Sequence, residues 1–542
     1  VTSTLYRHGV VHSPSDPFAE AILVEDGTVA WMGSDDTADG LVASVDEVVD
    51  LEGALVAPGS STPTCTCWRP RSRPAGWTCP RPRACAAWPT RSPRSRAPSP
   101  TARGDRRPLL GSGWDERTWP EGRPPTRAEV DAVAPGIPVY LARVDVHSAV
   151  VSTPLADAAG LRALPGWSED GRVEREAHHA ARALAREVDA EERTALYREA
   201  LTAAAAAGVV AVHEQSAPSI DTRAGLRELL ALTADPSSAL PLVIGYRGER
   251  CVTVDDARAL LADLPGLTGI GGDLNVDGSI GSRTAALRQP YADAPDTRGR
   301  LYLTAEEVAN HVTAVTRAGS HAAFHVIGDR ALDEVLLGLR AAADVEGMAA
   351  VAGAGHRLEH AELVDAPSLA QIVLLGLRLS VQPAFDAAWG GPDGMYAARL
   401  GRGRAAALNP LADLAAAGVP LALGSDAPVT PVDPWAGVRA AAHHHEPDQR
   451  VSVRAAFRAA TRGGWRLAHL DHTGAGELRV GAPAHLAVWR AEHLVVQASR
   501  TSTWSADARA GSPLLPDLSP GAPAPRCVRT VRAGVVLHDE LD

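Results

Sequence analysis

The stretch Leu303–Asp329, "LTAEEVANHVTAVTRAGSHAAFHVIGD", decides how the chain is read. Thr304 with Glu307 three residues on is a capping box, each side chain taking an orphan backbone N–H at the start of a helix. The helix closes on Gly319, and the apolar run "HAAFHV" follows as a strand ending at His325. The same helix–glycine–strand unit recurs outward from here. "EERTALYREALTAAAAAG" ends at Gly208 before "VVAVHE", "ALDEVLLGLRAAADVEG" leads to "HRLEHAEL", and "NPLADLAAAG" leads to "VPLALGSDAP". Repeated units of this kind imply a parallel sheet. Their number over about 400 residues favours a (β/α)8 barrel of the TIM type over an open sheet.

The ends have another texture. Residues 1–56 ("AILVEDGTVAWMG", "EVVDLEGALVAPG") and 481–542 ("RCVRTVRAGVVLHDE") alternate apolar and polar residues between turns, the pattern of short strands and hairpins. The expected architecture is α/β: a barrel over 57–480 and a small β-sandwich built from both termini.

The totals exclude several function classes. The chain has 542 residues, 45% hydrophobic and 22% charged, in the range of soluble globular proteins. A net charge of −12 argues against nucleic acid as a partner, which needs a basic face. No run approaches the roughly 18 apolar residues of a membrane span. The opening "VTSTLYRHGV" lacks a charged-then-apolar signal, so a cytoplasmic location is expected. All 53 basic residues are Arg, with no Lys, which points to a gene of very high G+C content.

In a (β/α)8 barrel the chemistry sits where strands end. His325 ends "HAAFHV", His360 ends "HRLEH", Asp426 follows "LALGS", Gln382 follows "LSV", and His213 and Glu214 end "VVAVHE". Two His and an Asp converging on one face suit a borderline divalent ion such as Zn²⁺. Such an ion lowers the pKa of bound water to roughly 7, and an Asp beside it can take the proton and pass it to a leaving amine. His213 reads as structural, and the triplet His443–His445 as a solvated helix face or loop. For His147 in "VDVHSAVVS", substrate contact and core packing are equally supported. For Trp114, Trp119 and Trp389, which could line an apolar pocket, core packing is at least as well supported.

These pieces, with "LEGALVAPG", "LLGSGWDERTWPEGRPPTRAEVDAVAPGIPVYLARVDVHSAVVS", "DLNVDGSIGSRTAAL", "HVIGDRALDEVL", "HRLEHAELV", "LSVQP", "LGSDAPV" and "TGAGELRVGAPAHLAVW", run in the order of the amidohydrolase superfamily. More narrowly, the chain resembles amidohydrolase family 3, which includes YtcJ-like hydrolases and N-substituted formamide deformylases. The resemblance implies a metal-dependent hydrolase of C–N bonds that are not ordinary peptide links, such as amides, N-formyl or cyclic amide groups, on a barrel with a β-sandwich. It implies a small-molecule substrate and, by analogy, a homodimer. By position, His325 and His360 match the strand-five and strand-six ligands. Asp426 matches the strand-eight Asp that is ligand and general base, and Asp277 and Arg283 in "DGSIGSR" match a loop near the substrate. Where many members carry a metal-bridging Lys on strand four, this chain has Asp273, which leaves either an oxygen ligand or a single-ion site.

One departure is larger. The family's first strand carries an H-x-H supplying two ligands, both on one face because alternate strand residues share it. Here the corresponding stretch is "SSTPTCTC", Ser60–Cys67. From Ser60 to Pro108 there is no Val, Ile, Leu, Met, Phe or Tyr, while four of the six Cys fall inside, in no zinc-ribbon spacing. With G/C-ending codons, one added base converts "SSTPTCTC" to FVDAHVHV, placing His where Thr64 and Thr66 stand. Residues 60–105 therefore read as a frameshifted segment, with the first barrel strand and helix scrambled and disordered and neighbouring strand edges left unpaired. Three readings result: an active amidohydrolase, a catalytically impaired or dead barrel kept as a binding or scaffold protein, and a non-functional product of a damaged or misread gene.

Overall fold

Helices in this chain hand over to strands through left-handed glycines. The helix Ala305–Arg317 opens on the Thr304–Glu307 capping box, and the chain leaves it through Gly319 at φ 78° before strand Ala323–Val326. Gly208, at φ 75°, does the same between helix Ala190–Ala206 and strand Val209–Ser216. Only glycine takes this conformation without a Cβ penalty, so the helix stops where the sequence places one. The structure, a computed structural model, describes residues 2–65, 108–497 and 512–541.

The strands delivered in this way form a TIM-barrel-type α/β wall. We number them β1 (Ser60–Cys65), β2 (Val209–Ser216), β3 (Leu242–Arg247), β4 (Leu267–Ile270), β5 (Ala323–Val326), β6 (Arg357–His360), β7 (Arg378–Val381) and β8 (Leu421–Leu423). They make two four-stranded parallel sheets, ordered β4-β3-β2-β1 and β5-β6-β7-β8. Parallel bridges Ile270↔Ala322 and Asn275↔His325 join β4 to β5. On the other side contact is through side chains: Ser425, beyond β8, donates its backbone N–H to Thr62 Oγ1 at 3.3 Å. The ring is thus two hydrogen-bonded arcs with looser seams. Phe324, Leu358 and Leu379 are fully buried in the large core with the helix residues Val335 and Leu339.

The scrambled first strand is corrected by β1. Ser60–Cys65 pairs parallel with β2, in register from Val209↔Ser60 to Glu214↔Cys65 with two irregularities. The edge of β2 is therefore covered. Parallel pairing uses backbone N–H and C=O groups, which a Ser/Thr-rich stretch supplies as well as a Val-rich one. Residues 66–107, with the expectation of disorder there, lie outside the described residues.

Strands from both ends of the chain build the small sheets. Ser3–Arg7, Ala21–Glu25, Thr28–Gly33 and Glu47–Asp50 form one sheet. Val10–Val11, Leu55–Pro58, Leu486–Arg490, Arg526–Arg532 and Val535–Asp539 form another. Tyr6, Ile22, Val56, Val488 and Val528 share a core. A further sheet interrupts the barrel between β1 and β2: Leu109–Trp114, Val139–Arg143, Ser148–Val151 and Arg172–Glu174, followed by helix Arg175–Ala185. The sequence reading had folded this excursion into the barrel. Among the described residues, no helix is long and apolar enough to cross a membrane.

Candidate active site

Alternation along β5 turns Phe324 outward, against His311 of the preceding helix, and His325 inward. On β6 the same alternation would put His360 on the face opposite Glu359. The backbone overrides it: His360 and Ala361 take φ of 70° and 47°, a region non-glycine residues rarely occupy. The His360 ring then meets the His325 ring edge-to-face, with centroids 4.5 Å apart. Asp426 also sits in left-handed backbone, at φ 52°. Such conformations persist where surrounding structure over-determines them, and they gather at functional sites. Here His360, Ala361 and Asp426 take them at or just beyond the C-terminal ends of β6 and β8.

His325, His360, Asp426 and Asp273 line one cavity of about 480 Å³ with His147, whose ring centroid lies 5.0 Å from that of His325. Burial, then the neighbouring imidazoles His360 and His147, hold the His325 pKa well below its ordinary value, so the ring is neutral. Neither of its nitrogens has a hydrogen-bond partner among the described residues. Burial also lowers His360 to about 3, with the Gln382 hydrogen bond pulling the other way. His360 Nδ1 lies 2.8 Å from Gln382 Oε1, which only accepts. The proton therefore sits on Nδ1 and the Nε2 lone pair is free for a ligand, the usual device for orienting a metal-binding imidazole. Burial lifts Asp273 to about 6, partly offset by Arg182.

Two neutral imidazoles, one with both nitrogens unpartnered, are chemically right for a borderline divalent ion. The remainder of a coordination shell is not assembled: among the described residues, no group of three or more His, Cys, Asp or Glu is placed to hold a metal ion. The donors present fit part of a metal centre and do not complete one.

The other residues read from the sequence fall into place around this cavity or away from it. Gln382 stands behind His360. Asp277 pins a loop: its carboxylate accepts N–H bonds from Ala286, Ile327 and Gly328 at 2.8, 3.0 and 2.7 Å. Its Oδ1 lies 3.9 Å from His325 Nδ1, so it supports that ring from behind. Arg283 is directed elsewhere, paired with Asp293 at 2.8 Å. Trp114 is buried beside Trp119 and donates to Leu141 O, a packing role. Trp389 packs on Phe385 and Tyr396. His213 lies inside the barrel, accepting from Arg357. The His443–His445 triplet lies in a loop with His443 and His445 exposed and only His444 buried; His443 Nε2 donates to Leu518 O, and His445 Nδ1 meets Asp386 Oδ2 at 3.1 Å.

Sequence reasoning missed one wall of the cavity. Helix Arg175–Ala185 and its cap bring Arg175, His178, His179, Arg182 and Arg186 to it. Their spacing of three and four residues places them on one helix face, a signal present in "REAHHAARALAR". Glu362 was missed too; burial raises it to about 7, against a hydrogen bond from Tyr396.

The fold is of the TIM-barrel α/β type, with this cavity at the ends of its strands, and comparison with known proteins specifies the family. The chain belongs to the amidohydrolase family, whose model matches residues 94–538. It is 32% identical over 168 residues to the putative amidohydrolase YtcJ of Bacillus subtilis, covering 30% of each chain. It is 27% identical over 399 residues to the protein LONG AFTER FAR-RED 3 of Arabidopsis thaliana, covering 67% of this chain and 66% of that one. The chain thus spans just under two thirds of the plant relative and under a third of the bacterial one. Among solved structures, an uncharacterized metal-dependent hydrolase from Pyrococcus horikoshii OT3 superposes with TM-score 0.65 at 25% identity, over 90% of this chain and 97% of that one. Its counterpart from Pyrococcus furiosus gives 0.66 at 24% identity, over 90% and 98%.

Proposed function

We propose that the chain is built for metal-dependent hydrolysis of carbon–nitrogen bonds outside ordinary peptide links, with Zn²⁺ as the ion. It acts on a small-molecule substrate in the cytoplasm, as a homodimer. The observation that carries this reading is His325: a buried, neutral imidazole with no hydrogen-bond partner among the described residues, facing His360 across 4.5 Å. A fold that tolerates such a ring at the mouth of its barrel is holding it for a ligand. In this reading His325 and His360 present their lone pairs, Gln382 fixes the His360 tautomer, and Asp426 holds the proton that moves from water to the leaving amine. The names of the relatives, a putative amidohydrolase and a metal-dependent hydrolase, favour the same class.

We further propose that the chain as written is impaired, because its first strand carries Thr64 and Thr66 where the family has an H-x-H. A frameshift over about residues 60–105 explains that loss, together with the absence of large aliphatic residues there. The test is to express the written chain beside a frame-restored one and measure zinc per chain and amine or formate release. The restored chain should hold about one ion and turn over, and the written chain should hold far less. Equal, stoichiometric zinc in both would overturn the frameshift reading. Zinc in neither would overturn the metal reading. Sequencing the DNA across codons 55–110 separates a misread gene from a real lesion.

A further inference from the structure

We propose that Arg182 and Arg186 form a seat for an oxyanion, the chemistry of a carboxylate, in the same cavity as His325 and His360. That the oxyanion belongs to a substrate rests on the hydrolase reading above, whereas the seat itself needs neither metal nor turnover.

The two guanidinium groups stand one helical turn apart, the Arg186 backbone N–H bonding Arg182 O at 3.0 Å, and both face the cavity. Like charges at this spacing repel. The end of a helix favours cations, which accounts for one arginine there and not for two held against a cavity wall. The recorded partners of Arg182 are neutral: its Nε donates to Ser219 O at 3.1 Å and its Nη2 to Ser219 Oγ at 2.8 Å. These bonds fix the plane of the fork, and neither partner carries a charge that would stand in for the anion of a bidentate site.

The charge of this wall comes from the arginines, because the histidines beside them are neutral. His178 and His179 are held below their ordinary range by burial first and by Arg182 next. His178 Nε2 lies 2.7 Å from the Tyr140 hydroxyl. Of the cavity's carboxylates, Glu176 is tied to Arg175 at 3.3 Å, and Asp426 stands beyond β8. Asp273 feels the field of Arg182, but no ion pair between them is recorded among the described residues. Burial lowers the Arg186 pKa to about 10, with Tyr140 pulling it up and Arg182 pushing it further down, which still leaves it cationic at neutral pH.

The experiment uses the full chain and three probes of matched shape: benzoate, phenyl phosphate and neutral benzamide, read by calorimetry and thermal shift. Benzoate or phenyl phosphate should bind saturably and at least tenfold more tightly than benzamide, and whichever binds better identifies the anion's chemistry. The double variant Arg182→Gln/Arg186→Gln should lose at least tenfold, and Arg182→Lys, which keeps the charge without the fork, should lose less. Equal binding of benzamide, or unchanged anion binding in the double variant, overturns the seat. Should that variant fail to fold, the salt dependence of the unaltered chain decides: anion binding that does not weaken with ionic strength overturns it. Failure here leaves the hydrolase reading standing, and failure to bind zinc leaves the seat standing.

Discussion

Two polar layers fill the interior of this barrel, one above the other. In the lower layer Arg357 of β6 donates to His213 Nδ1 at 2.8 Å and to Glu359 Oε2 at 3.0 Å. Its guanidinium lies 4.6 Å from the Tyr246 ring centroid on β3, and His213 Nε2 reaches Ser61 Oγ of β1 at 3.4 Å. In the upper layer His325, His360 and Asp426 surround a cavity, and neither His325 nitrogen makes a hydrogen bond among the described residues, the Asp277 carboxylate standing 3.9 Å from Nδ1. Both layers remove polar groups from bulk water. The lower one answers burial with internal bonds and so ties β1, β2, β3 and β6 together. The upper one, in the function proposed above, turns its histidine lone pairs toward a ligand. Polar residues in a barrel interior thus divide by whether their bonds close on themselves, and that division separates architecture from chemistry.

The largest effect is expected from opening the closed layer. Glu359→Ala leaves the fully buried Arg357 without its carboxylate. Breaking a buried pair from one side costs about 3–5 kcal/mol, to be read as a lower midpoint in urea denaturation. A change below about 1 kcal/mol would mean that the layer does not hold the barrel.

A pH-dependent effect comes next, from the polar cluster linking the inserted sheet to the loop that carries Asp277. Asp145 accepts from Arg143 at 2.8 Å and from the Ser279 and Ser282 hydroxyls at 2.7 and 2.8 Å. Burial would raise its pKa, but Arg143, His147 and those hydroxyls outweigh burial and bring it to about 2, below the ordinary 3.8. The lowered pKa means the folded chain prefers the carboxylate. This stabilisation is present above pH 3.8 and is lost as pH falls toward 2, a change of about 2 kcal/mol. Asp145→Asn should remove that component of the acid limb, and an unchanged limb would assign acid sensitivity elsewhere.

Thr304→Ala removes one side of the capping box on the helix that delivers β5. The expected loss is about 1 kcal/mol in the thermal or urea midpoint. Thr304→Ser should restore most of it, and failure to do so would show that the threonine methyl matters more than the cap.

What the sequence disclosed and what it concealed follow the same division of layers. Helix, glycine and strand recur in "TAEEVANHVTAVTRAGSHAAFHV" because local propensity and tertiary position agree there, and the barrel was legible from that agreement. His325 was legible as the polar end of an apolar run. The turn that brings His360 to it was not, because a positive φ at a histidine is imposed by tertiary packing and no residue type announces it. Arg357 and Glu359 lie in plain view in "HRLEH", yet only the register of β6 shows that their partners are each other and His213. The pairing of β1 was concealed for the opposite reason. Composition reports side chains, whereas a parallel ladder needs only backbone groups, so a stretch that has lost its family's side chains still forms a strand.

The smallest expected effect on stability falls at His325, the residue on which the proposed function rests. His325 is buried with both nitrogens unpartnered, so His325→Leu removes a desolvated polar group and keeps comparable volume. Stability should be unchanged or rise by up to about 1 kcal/mol, while zinc binding in the frame-restored chain falls sharply. The closed layer gives the control, since the same substitution at His213 strands the Arg357 donor and should destabilise by about 1–3 kcal/mol. If His325→Leu instead destabilised as much as His213→Leu, the upper layer would be a second structural plug, and the distinction between closed and open layers would fail. If it were neutral to stability and zinc binding alike, His325 would be neither plug nor ligand. A stable variant that has lost its ion is the outcome that marks an open layer kept for chemistry.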